Sequence, residues 1–163
     1  MVFRRLGTAA AVVGGVAAML VGAAAGPASA DCDQPRLVSV SGYRAPEGSA
    51  AQEFTRFEFA VSSAGCPQPG AVRYETVAYT AGRTDFVDTV GGLELPAGDL
   101  RKQAVIVLVV PDTVAEPVEC FSVRIAAAGG NVKTDVAEAA GIIVDDDRRG
   151  VGKRITEGFI CSE

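Results

Sequence analysis

The sequence predicts an all-β protein that folds as an antiparallel sandwich of seven strands. After residue 30, short segments with alternating or β-branched apolar residues recur along the chain. Clusters of glycine, proline and polar residues separate these segments, and no convincing helical periodicity appears among them. Short strands and turn signals at regular spacing are typical of a β-sandwich.

The first thirty residues are predicted to be a cleaved secretory signal peptide. Arg4 and Arg5 form a basic start, an apolar run covers 6–25, and Ala28-Ser29-Ala30 is a small-x-small cleavage site. A membrane anchor is the alternative, but no basic stop follows the apolar run. Lipid attachment at Cys32 is disfavoured because Asp31 stands where a lipobox has a small residue. We therefore expect a secreted, extracellular chain that begins near Asp31 and contains no membrane span.

The composition of the exported chain excludes several classes of function. The first thirty residues hold two arginines and no acid, which leaves 13 basic and 20 acidic residues and a net charge of −7. Such a surface argues against nucleic acid or anionic membrane as partners and is compatible with cation binding. The chain has no histidine, which excludes a Ser-His-Asp triad and a Cys-His pair. Hydrolysis by paired carboxylates stays formally open, but without tryptophan a sugar-stacking cleft is hard to build, so we expect no enzyme.

The four cysteines are predicted to form two disulfides. Their number is even, and none of them stands in a C-x-x-C spacing. Three pairings are possible from the count alone. A zinc site is disfavoured by the spacing and by the absence of histidine.

The strand pattern predicts one sandwich domain over 31–147 and a tail over 148–163 that begins with basic residues. Turn residues such as Pro46-Glu47-Gly48 and Gly129-Gly130-Asn131 mark the connections. The segment 104–110 is apolar on both faces, which predicts a central strand. The seven predicted strands are 36–42, 53–62, 71–80, 86–95, 102–110, 119–127 and 137–144.

Acidic residues are concentrated in loops that are predicted to lie at one end of the sandwich. If consecutive strands run antiparallel, the first, third and fifth connections and the end of the seventh strand share that end. The acids in these four segments are Glu47, Asp85, Asp112, Glu116, Glu119, Asp145, Asp146 and Asp147.

These carboxylates need compensation, because like charges a few ångströms apart repel by several kcal/mol at an intermediate dielectric constant. Arg83 is the only basic residue in the loops. Calcium accepts six to eight oxygen ligands in tolerant geometry, whereas magnesium prefers fewer carboxylates and more water. The pattern therefore favours Ca²⁺ as the ligand. The alternative is that each acidic turn is only solvated.

Four segments, in order, resemble the Calx-beta domain family. Residues 110–123 are similar to its D-x-x-x-E-x-x-E-x-F-x-V signature, and residues 72–86 to its strand followed by an Asp-aromatic pair. Residues 92–98 resemble its G-x-L-x-F-x-x-G segment, and residues 142–147 match its closing apolar-apolar-apolar-D-D-D. The resemblance covers roughly 37–147, and Glu47-Gly48 falls where the family places its first ligand.

The resemblance implies a seven-stranded immunoglobulin-like sandwich that binds a cluster of calcium ions at one end. The eight acids named above would be the ligands, with Glu116 as the bridging carboxylate. Pro111 stands where the exchanger pattern has a further Asp, so we expect one ion site to be lost or weakened. The strand arrangement that the resemblance implies pairs Cys32 with Cys66 and Cys120 with Cys161, which would tether the tail.

The sequence therefore leaves two main readings of function. The first is a secreted calcium-binding module with no catalysis of its own, structural or interactive in role. The second is a metal-free interaction module with solvated acidic loops, which would bind a protein or cell-envelope partner through a sheet edge or through the basic tail. A carboxylate-based hydrolase is the remote third, because the ends of sandwiches are shallow.

Overall fold

The computed structural model describes residues 32–147. The predicted signal peptide (1–30) and the tail (148–163) lie outside the described residues. No helix occurs in the described range, so that range offers no helix long and apolar enough to cross a membrane.

Within residues 32–147, nine strands form two packed sheets, so the predicted all-β sandwich is confirmed but the predicted number of seven strands is wrong. A four-stranded sheet has the order β6-β3-β1-β8, and a five-stranded sheet has the order β2-β9-β7-β4-β5. The strands are β1 (Arg36–Val40), β2 (Tyr43–Pro46), β3 (Thr55–Gly65), β4 (Gly70–Ala78), β5 (Val90–Leu95), β6 (Gln103–Val109), β7 (Glu119–Gly130), β8 (Val132–Val136) and β9 (Glu138–Val144).

The two additional strands arise at the ends of the domain. The first predicted strand, 36–42, is interrupted after β1: the chain leaves one sheet and joins the other as β2. Gly42 permits this passage, because a Cβ there would lie 2.7 Å from the carbonyl oxygen of Ala140. At the other end, residues predicted to be a connection form β8, whose polar residues Lys133 and Asp135 conceal its strand character.

The terminal strands also make the sandwich less purely antiparallel than predicted. β1 pairs with β8 in parallel, and β2 pairs with β9 in parallel. Every other strand pair is antiparallel. Parallel pairing joins elements that are distant in sequence, so a local pattern carries no signal for it.

Two further predictions about single strands are wrong. The predicted strand 86–95 is regular only over β5, and Phe86 makes an isolated bridge to Val109 instead. β6 is apolar on both faces, yet it lies at the edge of its sheet rather than at the centre. Its outward residues are therefore an apolar stripe on the surface of the sandwich.

The core between the sheets is built mainly from residues that alternate along β3 and β6. Phe57, Phe59 and the facing valines of β6 point inward and are fully buried. Phe121 stacks on Phe86 with ring centroids 4.4 Å apart. Gly141 makes room for this ring, since a Cβ there would lie 2.5 Å from Phe121. This packed interior fixes the positions at which the strands end and the loops begin.

The chain keeps its direction from β1 to β2 and from β8 to β9, where it passes from one sheet to the other, and alternates in direction between the other consecutive strands. The four acidic segments predicted to hold ligands therefore emerge at one end, as expected. We call this end the acidic pole; it carries the eight acids predicted as ligands. The predicted Cys32–Cys66 disulfide is present at the opposite end, with the two Cα atoms 5.9 Å apart. Cys120 is buried, and Cys161 lies outside the described residues, so the second pairing stays a prediction.

Candidate metal centre

Glu47 is held at the acidic pole by the end of β2. Its backbone N–H donates to the carbonyl of Val144 (3.1 Å), which joins the turn after β2 to the end of β9. Gly48 then adopts a φ of +93°, where an L side chain is strained. This conformation lets the Gly48 N–H donate to Oδ1 of Asp146 (3.2 Å). The Glu-Gly dipeptide therefore closes the turn and buries the Glu47 side chain, which is only 3% exposed.

Asp85 is held by its own turn and by Val110, the residue that follows β6. Its Oδ2 accepts a hydrogen bond from the Gly82 N–H (2.6 Å), and its Oδ1 accepts one from the Thr84 hydroxyl (2.9 Å). The Asp85 carbonyl accepts from the N–H of Val110 (2.8 Å), so this connection runs alongside the start of the next acidic loop. The short spacing between β4 and Asp85 therefore still delivers its carboxylate to the acidic pole.

The connection from β6 into β7 contributes three of the acids. Asp112 opens it, and its Oδ1 accepts from the N–H of Val114 (2.6 Å), which turns the chain. The N–H of Glu116 donates to Oδ2 of Asp145 (2.9 Å), which fixes the loop against the end of β9. Glu119 is the first residue of β7.

The structure brings six of the eight predicted residues together in two groups of three. In each group, one carboxylate oxygen of every member lies within 4.8 Å of the others. The first group is Glu47, Asp112 and Asp147, and the second is Asp85, Glu116 and Glu119.

Asp145 and Asp146 lie at the acidic pole but outside both groups. Asp145 accepts the N–H of Glu116 through Oδ2 and the N–H of Asp147 (2.8 Å) through Oδ1. It thus contacts the backbone of one member of each group. Asp146 is exposed and binds the turn at Gly48. Both residues hold the loops together, whatever they contribute to an ion.

Burial and mutual repulsion raise the pKa of several of these acids. Burial is the main cause for Glu47, whose pKa rises to about 7, with further contributions from Asp112, Asp145, Glu116 and Asp147. Burial also raises the pKa of Glu119 to about 7, helped by its hydrogen bond with Asp85. The pKa values of Glu116 and Asp147 are raised for the same reasons, burial first. Negative charge is therefore costly at this pole.

No basic side chain of the described residues relieves that cost. Arg83, the one arginine in these loops, pairs with Asp88 (3.0 Å) and is 87% exposed. The other two ion pairs of residues 32–147, Arg101–Asp99 and Arg124–Glu138, lie elsewhere.

The donor set fits a hard divalent cation. It consists of carboxylate oxygens only, which is the chemistry that calcium prefers. Within the described range, Oε1 of Glu47 and Oδ2 of Asp147 are buried without a hydrogen-bond partner, and both belong to the first group. A buried carboxylate oxygen that accepts no hydrogen bond is expensive unless something positive binds it.

A second polar cluster lies on the outer face of the five-stranded sheet. Glu138 accepts hydrogen bonds from the hydroxyls of Ser122 (2.5 Å) and Tyr79 (2.8 Å) and forms an ion pair with Arg124. Arg124 also donates to the Tyr79 hydroxyl oxygen (3.1 Å). Arg124 and Glu138 neutralise each other, and the hydroxyl groups complete their hydrogen bonds. The cluster therefore stabilises strand pairing and is not a candidate ligand site.

Sequence reasoning found the acids but missed the residues that position them. The Thr55 hydroxyl donates to the carbonyl of Glu47, and the Thr80 hydroxyl accepts the N–H of Cys120 (2.8 Å). Thr55 begins a strand beside the acidic turn, and Thr80 lies in the next acidic connection. Their proximity to Glu47 and Asp85 in sequence was the available signal.

Comparison with solved structures identifies the fold. The structure is similar to the apo-form Calx CBD1 domain, with a TM-score of 0.60 and 29% identity over 70% of this chain and all of that one. It is equally similar to the calcium binding domain CBD12 of CALX1.1, with a TM-score of 0.60 and 30% identity over 69% of this chain and 47% of that one. The Calx CBD2 domain has the same fold at 14% identity, with a TM-score of 0.58 over 68% of this chain and 86% of that one.

No protein-family profile matches the chain, and no curated protein matches it significantly. The structural neighbours and the acidic cluster together fit a calcium-binding module. The roles of the individual acids as ligands stay predictions. Residues 32–147 fold as an immunoglobulin-like β-sandwich of the Calx-beta type, which confirms the resemblance that the sequence motifs indicated.

Proposed function

We propose that this protein is a secreted calcium-binding module whose ions are held by the acidic pole, with a structural or interaction role and no catalysis of its own. One observation carries the proposal: two groups of three carboxylates meet without a neutralising cation among the described residues, and buried oxygens of the first group lack partners. The similarity to a domain that is named as calcium-binding supports it.

In this proposal, each of the two groups of three acids binds calcium. Glu47, Asp112 and Asp147 would hold it beside the turn after β2, and Asp85, Glu116 and Glu119 would hold it beside β7. Bound calcium supplies the positive charge that lets these side chains ionise together. Asp145 and Asp146 position the loops through the backbone hydrogen bonds described above.

Secretion is supported by the leader-like first thirty residues and by the Cys32–Cys66 disulfide, since disulfides persist in oxidising compartments. N-terminal sequencing of the protein recovered outside the cell should begin near Asp31. Recovery of an uncleaved, membrane-associated chain would contradict this part of the proposal.

Calorimetric unfolding with calcium, magnesium and a chelator tests the proposed ligand. Calcium at a hundredfold above its dissociation constant adds about 2.7 kcal/mol for one site, so the melting temperature should rise clearly relative to chelator. Magnesium should raise it less, because it accepts crowded carboxylates poorly. Equal melting temperatures in calcium and in chelator would reject calcium binding and favour the metal-free interaction module.

A further inference from the structure

The two acid groups of the acidic pole form no ion pair with any side chain of residues 32–147. Parts of the first group are nevertheless closed to solvent. Oε1 of Glu47 and Oδ2 of Asp147 are buried without a hydrogen-bond partner, and Glu47 as a whole is 3% exposed. Buried carboxylate oxygens of this kind are costly unless a positive group binds them. The pole therefore needs a cation when calcium is absent as well.

Four basic residues follow the last acid of the pole directly in the chain. Residues 148–154, which we call the basic segment, read Arg-Arg-Gly-Val-Gly-Lys-Arg and contain no acid. Consecutive Cα atoms are about 3.8 Å apart, so Arg148 starts beside Asp147, and Lys153 can lie at most about 22 Å from it. Two glycines separate the basic pairs, and glycine adopts the conformations in which a chain reverses direction. Covalent geometry therefore allows all four cations to reach the acidic pole.

The chemistry of the basic segment complements that of the acidic pole. A guanidinium group presents its donors in a planar fork that matches the oxygens of a carboxylate. Attachment to the same chain raises the local concentration of these cations to about the millimolar range, so the contact needs little intrinsic affinity. Four cations cannot neutralise eight acids. The pole therefore stays negative with the segment bound and still attracts calcium.

We propose that the basic segment binds the acidic pole through its arginines when calcium is absent, and that calcium displaces it. Arg148 and Arg149 donate to the carboxylates of the first acid group, which contains Asp147, the residue that they follow. The segment and the metal ion then compete for the same oxygens, so the segment lowers the apparent affinity for calcium. The displacement step rests on the proposed function, whereas the contact in the absence of calcium does not.

Chemical modification of arginine in the purified chain tests the contact in chelator. Phenylglyoxal reacts with accessible guanidinium groups, and mass spectrometry gives the rate of reaction at each arginine. Arg148 and Arg149 should react about fivefold more slowly in the parent protein than in the double variant Glu47→Gln with Asp112→Asn, because the variant lacks two of the charges that bind them. Both substitutions keep the size of the side chain and one acceptor oxygen. Equal rates in the two proteins would overturn the contact.

The matched control removes two acids outside the acidic pole. Asp33→Asn with Glu58→Gln makes the same change in net charge, and both residues are exposed. In this variant, Arg148 and Arg149 should react as slowly as in the parent protein. Arg73 is the internal reference, because it is exposed on β4 and forms no ion pair with the described residues. An equal acceleration in both double variants would show an effect of net charge alone and contradict the contact.

The same modification in saturating calcium tests the displacement, with calcium binding measured separately by calorimetry. Arg148 and Arg149 of the parent protein should then react as fast as they do in the Glu47→Gln, Asp112→Asn variant. If calorimetry shows no calcium binding, the proposed function fails, but the difference between parent and variant in chelator remains. Calcium that binds without accelerating the modification would overturn the displacement.

Removal of the two arginines measures how strongly the basic segment competes with calcium. Arg148→Gln with Arg149→Gln should bind calcium about tenfold more tightly, which corresponds to a segment that occupies the pole for about nine-tenths of the time. The control, Arg73→Gln with Lys133→Gln, removes two exposed cations from strands and should change the affinity by less than about twofold. Equal increases in calcium affinity for the two variants would contradict the occupation of the pole by the segment.

Discussion

Glu47 is the residue at which the acidic pole is most costly. It is almost fully buried, one of its oxygens has no hydrogen-bond partner, and four other acids repel its charge. Glu47 was predicted from its position after the first strand, but its burial follows from the turn at Gly48 and could not be read locally.

Glu47→Gln should therefore have opposite effects with and without calcium. In chelator near pH 8, removal of the buried charge should stabilise the fold by about 1–3 kcal/mol. In calcium, the gain in melting temperature should shrink because a ligand oxygen is lost. Calorimetry in both conditions measures this, with the exposed Glu53→Gln in the same loop as the control. Equal effects of the two substitutions would contradict the proposed role of Glu47.

Arg36 performs a structural task at the pole opposite the acids. It is 1% exposed, and its guanidinium donates to the carbonyls of Gln68 (3.1 Å), Pro96 (3.0 Å) and Asp99 and to the Ser63 hydroxyl (3.1 Å). These hydrogen bonds fix three segments of the chain around the planar guanidinium group, whose donors lie in a rigid fork. Nothing in the local pattern distinguishes this arginine from a solvated one.

Arg36→Lys should lower the free energy of unfolding by about 2–3 kcal/mol, because an ammonium group cannot supply the same fork of donors. Chemical denaturation in constant calcium measures the loss. Arg101→Lys is the control: Arg101 is 87% exposed and pairs with Asp99 at the surface, so its replacement should change stability by less than about 1 kcal/mol. Similar losses in the free energy of unfolding for the two variants would show that the hydrogen bonds of the Arg36 guanidinium contribute little.

At the scale of elements, the turn after β2 determines how the acidic pole is assembled. Gly48→Ala forces a side chain into the left-handed region, with a Cβ 2.5 Å from Oε1 of Gln52 and 2.7 Å from Oγ1 of Thr55. We expect a loss of about 1–2 kcal/mol from backbone strain alone, and a weaker calcium effect because Glu47 and Asp146 separate.

Gly98→Ala is the matched control for that substitution. Gly98 also has a positive φ, +75°, but a Cβ there meets nothing within 4 Å. The Gly98→Ala variant should lose stability from backbone strain, but calcium should stabilise it as much as it stabilises the parent protein. Calorimetry in calcium and in chelator measures both effects. If Gly48→Ala leaves the calcium-induced stabilisation unchanged, the turn at Gly48 is not needed for the proposed calcium site.

Elements with a strong apolar alternation were predicted to within a few residues, as for β3, β4, β7 and β9. β8 was missed because it is short and polar, and β2 because Gly42 redirects the chain between sheets. The edge position of β6 contradicted a prediction made from its apolar residues on both faces, because its outward residues Ala104, Ile106 and Leu108 remain partly exposed. The convergence of the acids followed from strand direction alone, whereas their division into two groups depends on loop hydrogen bonds such as that between Glu116 and Asp145.

At the scale of the whole molecule, the acidic pole links stability to pH. The pKa values of Glu47 and Glu119 lie near 7 in the folded chain, above the ordinary value of 4.5. The folded state therefore binds protons more tightly than the unfolded state between these limits. Without calcium, stability should fall as pH rises from about 4.5 to about 7 and then level off.

Melting temperatures measured in chelator over this pH range test the prediction, and the calcium-induced increase should grow in the same direction because calcium competes with protons. The double substitution Glu47→Gln and Glu119→Gln should flatten the profile. A chelator profile in which stability rises from pH 5 to pH 8 would have the wrong sign for raised carboxyl pKa values.

The parallel pairing of the terminal strands has a mechanical consequence. β2 and β9 run side by side in the same direction, as do β1 and β8, so residues 32 and 147 leave from opposite ends of the sandwich. Tension between those two points would slide the paired strands along each other, and their hydrogen bonds would have to break together instead of one after another. The hydrogen bond from the Glu47 N–H to the Val144 carbonyl lies at the end of the β2–β9 pairing, next to the acids. A calcium ion bound there would thus hold the ends of β2 and β9 together and raise the force needed to separate them.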